Sequence, residues 1–442
     1  MRPEPSFEAL EAQIVDIVVI GGGLAGLSAA AALGSAGHRV QVLESRPYLG
    51  GRAASYDAGG ETIDNCQHIL MRCCVNLQDF YKRLGVENDI TFHREFVIVE
   101  PGGRRSILRR GPLPAPLHFT ASLLTLKFLN LSEKLAVIRG MLAIRSEYGK
   151  RKDLDDISMQ QWLEEKRQPK RAIDRFWSQV LISALSEDVN RVAAAHGFQV
   201  FWLAFMARSD SYEMGVPAVP LGKLYRLESW RKLGDVDVRL RTPVERVVIE
   251  SGAVRSVLAN GEELKADHFI CAVPFERLPG LGIPVDVSEF EHSPITGIHL
   301  WFDRPVIDLP QAAMLDRTIQ WVFNKEQGRY VQLVVSASRS LLDMSRADVI
   351  ALALKELAEF FPAVLDASLQ KAHVVKEVRA VFSARPGLEA HRPGTRTAVP
   401  NLFLAGDWTR SGWPATMESA VRSGYLAAEA ITGKKFLLPD IA

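Results

Sequence analysis

Apolar and polar positions near the start of the chain predict a strand, a turn, a helix and a second strand, in that order. Residues 17–20 are a short apolar run typical of a buried strand. An alanine-rich helix is predicted over 24–37, since Ala36-Gly37 is a natural helix stop. A second strand follows at 40–43. This order predicts a βαβ unit at the start of an α/β protein.

The rest of the chain mixes helical and strand periodicity. Apolar spacing predicts a helix at 76–86 and mainly helical structure, rich in large apolar residues, over 111–210. A helix is predicted at 217–234, and a β-meander with a hairpin turn at Asn260-Gly261 is predicted over 236–274. The remaining predicted elements are two strands within 92–110, strands at 295–302, 319–323, 330–336, 373–382 and 402–405, and a helix at 346–361.

Three glycines lie in the first predicted turn. Gly21, Gly23 and Gly26 form G-x-G-x-x-G, which allows a tight turn, a close approach of backbone to a pyrophosphate, and close helix packing. Ala25 lies between the last two and is included in the predicted site. Glu44 ends the second strand about 20 residues later, where an acid accepts hydrogen bonds from ribose hydroxyls. Together these residues predict a nucleotide-binding Rossmann unit, whereas a glycine-rich turn without a ligand leaves Glu44 unexplained.

Composition excludes several other classes of function. The chain has 442 residues, 47% hydrophobic and 24% charged, as expected of a folded protein with two or more domains. A net charge of +1 gives no indication of nucleic-acid binding, and the four cysteines form no metal-ligand pattern. The polar residues 1–12 read as a loose leader with no secretory signal, and no apolar run is long enough to span a membrane. A cytoplasmic protein is expected.

A second glycine motif follows the ribose acid. Gly50 and Gly51 can present backbone N–H groups to phosphate, and Arg52 adds positive charge that the NAD fingerprint lacks. This arrangement resembles the amine-oxidase and phytoene-desaturase group of FAD proteins, in which the glycine doublet contacts the flavin nucleotide. The resemblance implies FAD as the cofactor, where the first glycine motif alone makes NAD the default.

The end of the chain carries the most specific part of the resemblance. Gly406 and Asp407 turn the chain from a strand toward a helix, and the helix N-terminus at Met417 and Glu418 directs N–H groups toward whatever is bound there. In the family this helix end meets the flavin. Earlier in the chain, Val244 corresponds to a strand whose backbone contacts the adenine.

Two runs indicate a subgroup within the family. D-N-C-Q-H-I-L at 64–70 and A-G-D-W-T-R-S-G-W-P-A-T-M-E-S-A-V-R-S-G at 405–424 are most similar to squalene-associated desaturases, which are hydroxysqualene dehydroxylases. One departure is Cys66, because many relatives have glycine there, where backbone approaches the flavin ring.

The resemblance covers essentially the whole chain and implies two domains. A Rossmann-like FAD-binding domain, with a mixed sheet, helices and a small β-meander, is expected in three parts at 13–92, 217–284 and 395–435. An α+β substrate domain is expected in two parts at 93–216 and 285–394.

Three functions are compatible with the sequence, and the resemblance favours the first. A hydroxysqualene dehydroxylase would remove the hydroxyl of an apolar C30 isoprenoid as water, and reduced flavin would deliver hydride to give squalene, a hopanoid and sterol precursor. A phytoene-type desaturase would transfer hydride the other way. The third alternative is an amine oxidase or a flavin-binding scaffold, although no motif places the flavin-proximal lysine of an amine oxidase. The electron donor is not specified by the sequence.

Asp64 and His68 are the predicted catalytic residues. Dehydroxylation needs an acid near the flavin, and these are the nearest titratable side chains by motif position. Structural roles are the alternative: Asp64 would then cap a turn, and His68 would bond to backbone.

The stretch at 111–150 is helical, strongly apolar and flanked by lysine and arginine. Such a segment suits peripheral contact with an anionic membrane on its inner face. It equally suits a helix pair packed inside the substrate domain, and the residues alone leave both interpretations open.

Overall fold

A computed structural model describes residues 14–441, so the leader predicted at 1–12 lies outside the described residues. The strands are β1 (Asp16–Ile20), β2 (Arg39–Leu43), β3 (Ser55–Asp57), β4 (Thr62–Asp64), β5 (Leu70–Met71), β6 (Ile90–His93), β7 (Glu95–Val99), β8 (Arg105–Arg109), β9 (Met214–Pro217), β10 (Val236–Arg239), β11 (Val244–Glu250), β12 (Ala253–Ala259), β13 (Glu262–Leu264), β14 (His268–Cys271), β15 (His292–Phe302), β16 (Gln311–Met314), β17 (Trp321–Glu326), β18 (Tyr330–Ser336), β19 (Leu369–Phe382) and β20 (Leu402–Leu404). The α-helices are α1 (Leu24–Ser35), α2 (Val75–Leu84), α3 (Thr120–Thr125), α4 (Leu131–Glu147), α5 (Met159–Glu165), α6 (Lys170–Ala172), α7 (Ser178–Leu185), α8 (Ala194–Val200), α9 (Leu227–Trp230), α10 (Arg346–Phe360) and α11 (Met417–Thr432).

A parallel sheet of five strands, in the order β10-β2-β1-β14-β20, carries the predicted βαβ unit. Ile20 at the end of β1 is in register with Leu43 of β2 and Cys271 of β14. Helix α1 is buried from Leu24 to Gly34, and α11 packs against it. The α/β class is therefore confirmed, with the glycine turn at the carboxyl edge of a parallel sheet.

Two predicted elements in the middle of the chain are wrong. Strand β10 runs parallel to β2 at the edge of the five-stranded sheet, so the meander contains only β11, β12 and β13. The helix predicted at 217–234 is replaced by a 3-10 turn at Leu221–Tyr225 and the short α9. The reason is that the backbone N–H groups of Leu221 and Gly222 donate to the side chains of Asp64 and Ser55, which tie this segment to β3 and β4.

The second domain contains a seven-stranded sheet in the order β19-β15-β18-β17-β16-β7-β8. Alternate residues such as Ile298, Val322 and Leu333 join a buried cluster with Val349 and Leu357 of α10, so α10 covers one face. Strands β7 and β8 come from a distant part of the chain, which agrees with a two-part α+β domain. The predicted domain boundaries stay predictions.

Helices α4 to α8 lie in the predicted first part of the substrate domain, and their buried side chains share a cluster with Val18 and Phe269 of the five-stranded sheet. Trp162, Trp177 and Phe198 are fully buried, and the rings of Trp162 and Phe198 meet edge to face at 4.9 Å between centroids. Across residues 14–441, no helix is both long enough and apolar enough to cross a bilayer.

Candidate cofactor and active site

The first glycine turn joins β1 to α1, and side chains would clash with the backbone at Gly21 and Gly26. Gly21 has a φ of +109°, and its N–H donates to the carbonyl of Leu43 at 2.9 Å. A Cβ atom added at Gly26 would lie 2.0 Å from the carbonyl oxygen of Gly21. Gly23 is the N-cap of α1 and Ala25 lies in its first turn, so backbone N–H groups at this helix end are accessible to an anion.

Glu44 ends β2 directly beside this turn. The carboxylate is 7% exposed and accepts hydrogen bonds from the N–H groups of Gly22 at 2.8 Å and Arg46 at 2.7 Å. The carbonyl of Glu44 accepts from the N–H of Thr242 at 2.8 Å, two residues before Val244 begins β11. This bond holds the start of β11 beside the end of β2, so Val244 and Glu44 lie near each other, as a site for an adenosine requires.

The glycine doublet packs on the first glycine turn. Gly50 and Gly51 have φ values of +102° and +61°, and the N–H of Gly50 donates to the carbonyl of Gly22 at 2.8 Å. A Cβ atom on Gly51 would lie 3.0 Å from the Cα of Gly23. Two glycine segments therefore form one cradle that side chains would fill, which fits the diphosphate of FAD.

Arg52 connects this cradle to the last motif of the chain. One of its guanidinium nitrogens donates to Oδ1 of Asp407 at 2.6 Å, and another donates to the carbonyl of Ala380 at 2.7 Å. Gly406, before the aspartate, cannot carry a side chain, because a Cβ atom would lie 2.2 Å from Nε1 of Trp408. Residues predicted from opposite ends of the sequence thus meet at one site.

The N-terminus of α11 follows this turn. Thr416 is the N-cap, its hydroxyl accepts from the N–H of Ser419, and Met417 is the first helical residue. The Ser419 hydroxyl donates to the carbonyl of Asp407 at 3.0 Å, which fixes the helix end against the Gly406-Asp407 turn. A helix N-terminus in this place stabilises negative charge on a bound group.

The predicted cofactor contact of Glu418 does not fit the direction of its side chain. The carboxylate is fully buried and accepts from the N–H of Leu77 at 2.8 Å, the N–H of Asn76 at 3.1 Å and the Asn76 side chain at 2.8 Å. Burial raises the pKa of Glu418 to about 7, although these donors oppose the shift. Glu418 therefore caps α2, and only its backbone is left to face a cofactor.

Asp64 lies in β4 with its carboxylate largely in use. Oδ1 accepts from the hydroxyl of Ser55 at 2.6 Å and from the N–H of Leu221 at 3.0 Å. Oδ2 lies 3.8 Å from Nζ of Lys325. These contacts agree with the structural alternative for Asp64, because they hold the segments around 55 and 221 together. The catalytic assignment of Asp64 stays a prediction.

His68 is placed differently from Asp64. Its Nδ1 is buried and has no hydrogen-bond partner among the described residues. Burial lowers the pKa of His68, although the carboxylate of Asp64 opposes the shift, so the ring favours its neutral form. A neutral histidine with an unpaired nitrogen can accept or donate one proton. The structure thus leaves His68 as the more available of the two predicted catalytic side chains.

Cys66 has the backbone conformation of a glycine. Its φ is +60°, in the left-handed region, which explains why glycine suits this position in similar proteins. The side chain faces Gly297 of β15, where an added Cβ atom would lie 3.1 Å from Sγ. Burial raises the pKa of the Cys66 thiol to about 12. The thiol is therefore a packing group and not a nucleophile.

Lys325 is a site residue that the sequence prediction missed. Its ammonium group donates to Oε1 of Gln67 at 2.7 Å, next to His68, and its side chain is 18% exposed. Burial lowers the pKa of Lys325, and Asp64 opposes this shift. The available signal was a single lysine that follows the apolar run Trp321–Phe323.

Trp408 and Trp413 lie close to the Gly406-Asp407 turn, and both have structural roles. Nε1 of Trp408 donates to the carbonyl of Val273 at 3.0 Å, and Nε1 of Trp413 donates to Asp440 at 2.9 Å. Both indoles are more than nine-tenths buried. They pack in the core beside the turn and do not form an aromatic pair.

Comparison with known proteins gives consistent matches along the whole chain. The family model described as flavin containing amine oxidoreductase matches residues 24–432. The 15-cis-phytoene desaturase of Solanum lycopersicum is 28% identical and covers 94% of this chain and 77% of its own length. The 15-cis-phytoene desaturase of Synechococcus elongatus is 25% identical, and the match covers 95% of this chain and 96% of that enzyme. The zeta-carotene desaturase of Zea mays is 24% identical, and the match covers 99% of this chain and 88% of that enzyme.

The fold is also found among solved structures. A structure of putrescine oxidase with bound putrescine is 19% identical, has a TM-score of 0.73 and covers 96% of this chain and all of its own. An oxidoreductase structure from Methanosarcina mazei gives a TM-score of 0.70 at 19% identity over 95% of this chain. At this level of identity the likeness shows a shared fold.

Proposed function

We propose that this chain, which belongs to the flavin containing amine oxidoreductase family, is an FAD-dependent oxidoreductase that acts on a long isoprenoid. Family membership establishes a flavin enzyme with FAD as its cofactor. The substrate class rests on one observation: relatives named as phytoene and zeta-carotene desaturases match 94% or more of the chain. These relatives favour desaturation over the dehydroxylation that the sequence runs indicated.

Bound FAD would supply hydride transfer, and the chain's own residues would hold it and the substrate. The two glycine segments and Glu44 accommodate the diphosphate and the ribose, and Arg52 supplies positive charge beside Asp407. Part of the face of the seven-stranded sheet opposite α10 would supply an apolar surface. Trp321, Phe323 and Val334 form a buried cluster there with Met214. A polyene packed on such a surface is shielded from water.

Reductive dehydroxylation of hydroxysqualene is the second candidate. It is supported by the runs at 64–70 and 405–424, which are most similar to that subgroup. It is also supported by Lys325, because a largely buried ammonium group suits a substrate that carries an oxygen. Both candidates share the cofactor and a long isoprenoid as substrate, and they differ in the length of that isoprenoid and in the direction of hydride transfer.

Anaerobic mixing of the FAD-loaded protein with pure isoprenoids separates the two reactions. Oxidised protein with phytoene should lose its flavin absorbance at 450 nm, roughly the usual band of oxidised flavin, if it is a desaturase. Photoreduced protein with hydroxysqualene should regain that absorbance and yield squalene if it is a dehydroxylase. Heat-denatured protein serves as the control. No flavin change with either isoprenoid would overturn the proposal, and so would purified protein that binds no FAD.

We also propose that residues 113–142 bind an anionic lipid bilayer, from which the isoprenoid is drawn. Seven large apolar side chains are exposed in this stretch: Leu113, Leu117, Leu124, Leu131, Leu135, Ile138 and Leu142. The last four lie on one face of α4 by their spacing. Arg139 and Arg145 are exposed on the same helix and are complementary to anionic headgroups.

Vesicle sedimentation tests this surface. The double substitution Leu135→Glu/Leu142→Glu should lower binding to phosphatidylglycerol vesicles by roughly tenfold or more. Leu365→Glu is the matched control, because Leu365 is 76% exposed but lies outside the stretch. Equal binding by the double variant and the control would contradict the membrane contact.

A further inference from the structure

A row of polar side chains crosses the seven-stranded sheet. Strand register places Phe323 of β17 opposite Gln332 of β18, Gln332 opposite His299 of β15, and His299 opposite His373 of β19. Gln311 of β16 continues the row on the other side of Phe323. Directly opposite residues on a sheet point to the same face and lie side by side.

This row is on the face opposite α10. Its neighbours along the strands, Leu333 and Ile298, belong to the cluster with α10, so the row itself points the other way. Phe323 in the row belongs to the cluster that includes Met214 and packs against Ile69. Ile69 follows His68 in the chain. The row therefore faces the segment in which the predicted active-site residues lie.

Two side chains in the row are fully buried and carry polar atoms that have no hydrogen-bond partner among residues 14–441. Gln332 is 0% exposed, and neither its amide nitrogen nor its amide oxygen has a hydrogen-bond partner within residues 14–441. His299 is also 0% exposed, and its Nε2 has no partner there. Nδ1 of His299 bonds to the hydroxyl of Tyr330 at 2.7 Å, which fixes the ring. Buried polar atoms are nearly always paired, so three unpaired atoms on adjacent residues indicate a missing partner.

Lys325 adds donors close to this pair. It lies two residues beyond Phe323, at an irregularity of β17 where Asn324 and Glu326, but not Lys325, pair with β18. Burial, and then the charges of His373 and Lys325, lower the pKa of His299, so the ammonium group lies near that ring. An ammonium group has three N–H donors, and the only hydrogen bond it makes in the described part of the chain is the one to Gln67. The carboxylate of Asp64 is 3.8 Å from Nζ, which is longer than a hydrogen bond. Lys325 thus has donors to spare for an oxygen atom.

We propose that Gln332 and His299, with Lys325 beside them, form a subsite for one hydroxyl group of an isoprenoid alcohol. A hydroxyl both donates and accepts, so it can accept from the Gln332 amide or from Lys325 and bond to Nε2 of His299 at the same time. A hydrocarbon of the same skeleton offers no such bonds and leaves these groups unpaired. The pair is enclosed in this structure, so the hydroxyl replaces side-chain contacts that now cover it. This subsite rests on the proposed isoprenoid substrate, and it favours the second candidate reaction.

A matched pair of ligands tests the subsite. Hydroxysqualene and squalene share a C30 skeleton and differ in one hydroxyl, and their binding to the oxidised FAD-loaded protein can be followed by perturbation of the flavin spectrum. The wild type should bind the alcohol at least about tenfold more tightly than the hydrocarbon. Gln332→Leu, which keeps a similar side-chain volume, should abolish that preference. Gln311→Leu, in the same row but separated from Gln332 by Phe323, should keep it.

Each remaining result contradicts a specific part of the inference. Equal affinity of the wild type for both ligands overturns the subsite and leaves the proposed substrate class intact. A preference that persists in Gln332→Leu also overturns it, provided that FAD content and thermal stability are unchanged. An equal loss of affinity for both ligands in that variant would place a bound water at the pair and overturn the subsite. Failure of both C30 ligands to bind overturns the subsite and the second candidate reaction, whereas the proposed function falls only if phytoene also causes no change in the flavin.

Discussion

The guanidinium of Arg52 and the carboxylate of Asp407 are joined at 2.6 Å across 355 positions of sequence. The Asp407 side chain is 8% exposed and the Arg52 side chain is 33% exposed. The pair locks the glycine doublet to the turn that precedes α11. Two halves of the predicted FAD site are therefore held together by one ion pair, and several tests follow from this arrangement and its surroundings.

Asp407→Asn should weaken FAD binding by roughly tenfold or more, because it leaves the Arg52 charge half-buried and unpaired. FAD content after purification and the dissociation constant of the reconstituted flavin measure the effect. Asp16→Asn is the matched control, since its ion pair with Arg39 is about half exposed on both sides. A variant with unchanged FAD affinity would show that the ion pair does not shape the cofactor site.

Gly26→Ala should lower the free energy of unfolding by about 3 kcal/mol and reduce FAD content, because the added Cβ would lie 2.0 Å from the carbonyl oxygen of Gly21. Urea unfolding followed by tryptophan fluorescence gives the change. Gly280→Ala should change stability little, since an added Cβ there has no neighbour within 4 Å. Similar losses in the two variants would argue against close packing at the glycine turn.

The free energy of unfolding should fall as the pH rises from about 4.5 to 7, because the carboxyl of Glu418 is buried. Burial raises the pKa of this carboxyl to about 7 in the folded protein, from an ordinary value of 4.5. The folded state then binds the proton more tightly than the unfolded state, so stability is fully present below pH 4.5 and is lost as pH rises to 7. The expected loss is about 3 kcal/mol. In Glu418→Gln this loss should disappear from urea-unfolding curves at pH 5 and pH 8.

Glu262→Gln is the control for that pH dependence, because the Glu262 side chain is 64% exposed. Its substitution should leave the change in unfolding free energy with pH as it is in the wild type. If Glu418→Gln loses as much stability between pH 5 and pH 8 as the wild type does, the buried carboxyl is not the source of that loss.

His68→Ala should slow turnover by about 100-fold while FAD content stays normal, because the unpaired Nδ1 is the available proton-transfer group in segment 64–68. Asp64→Asn should act mainly on stability, since its carboxylate accepts from Ser55 and Leu221. Stopped-flow flavin kinetics with the active isoprenoid, together with thermal unfolding, separates these effects. Near-normal turnover in both variants would exclude the pair from catalysis.

The cofactor half of the site was largely predictable from sequence, because it depends on backbone. Glycine spacing, a helix start and an acid at a strand end are local patterns, and Gly21, Gly50 and Glu44 lie in the structure as those patterns require. Glu418 shows the limit of this reasoning. Its position in the helix was predictable, but its side chain turns to Asn76 and Leu77, and a contact across 342 positions leaves no local signal.

The substrate half of the site was less predictable, because strand register determines which side chains lie together on one face of the sheet. Gln332 and His299 are separate polar residues in apolar strands, and the sequence does not show that they share one sheet face or that Lys325 lies near them. Strand β10 was misassigned for a related reason. Its alternation suits a meander as well as an edge strand, and its pairing with β2 across nearly two hundred residues is a tertiary choice.

The complete burial of α1 has a consequence for the order of events during synthesis. Residues Leu24–Gly34 are all buried, and the partner that covers them, α11, is made at the far end of the chain. Strand β20 of the same sheet also comes from that end. A growing chain therefore carries an uncovered apolar helix beside an unfinished nucleotide site until α11 and β20 have left the ribosome. The complete FAD site can form only after nearly four hundred further residues have followed α1.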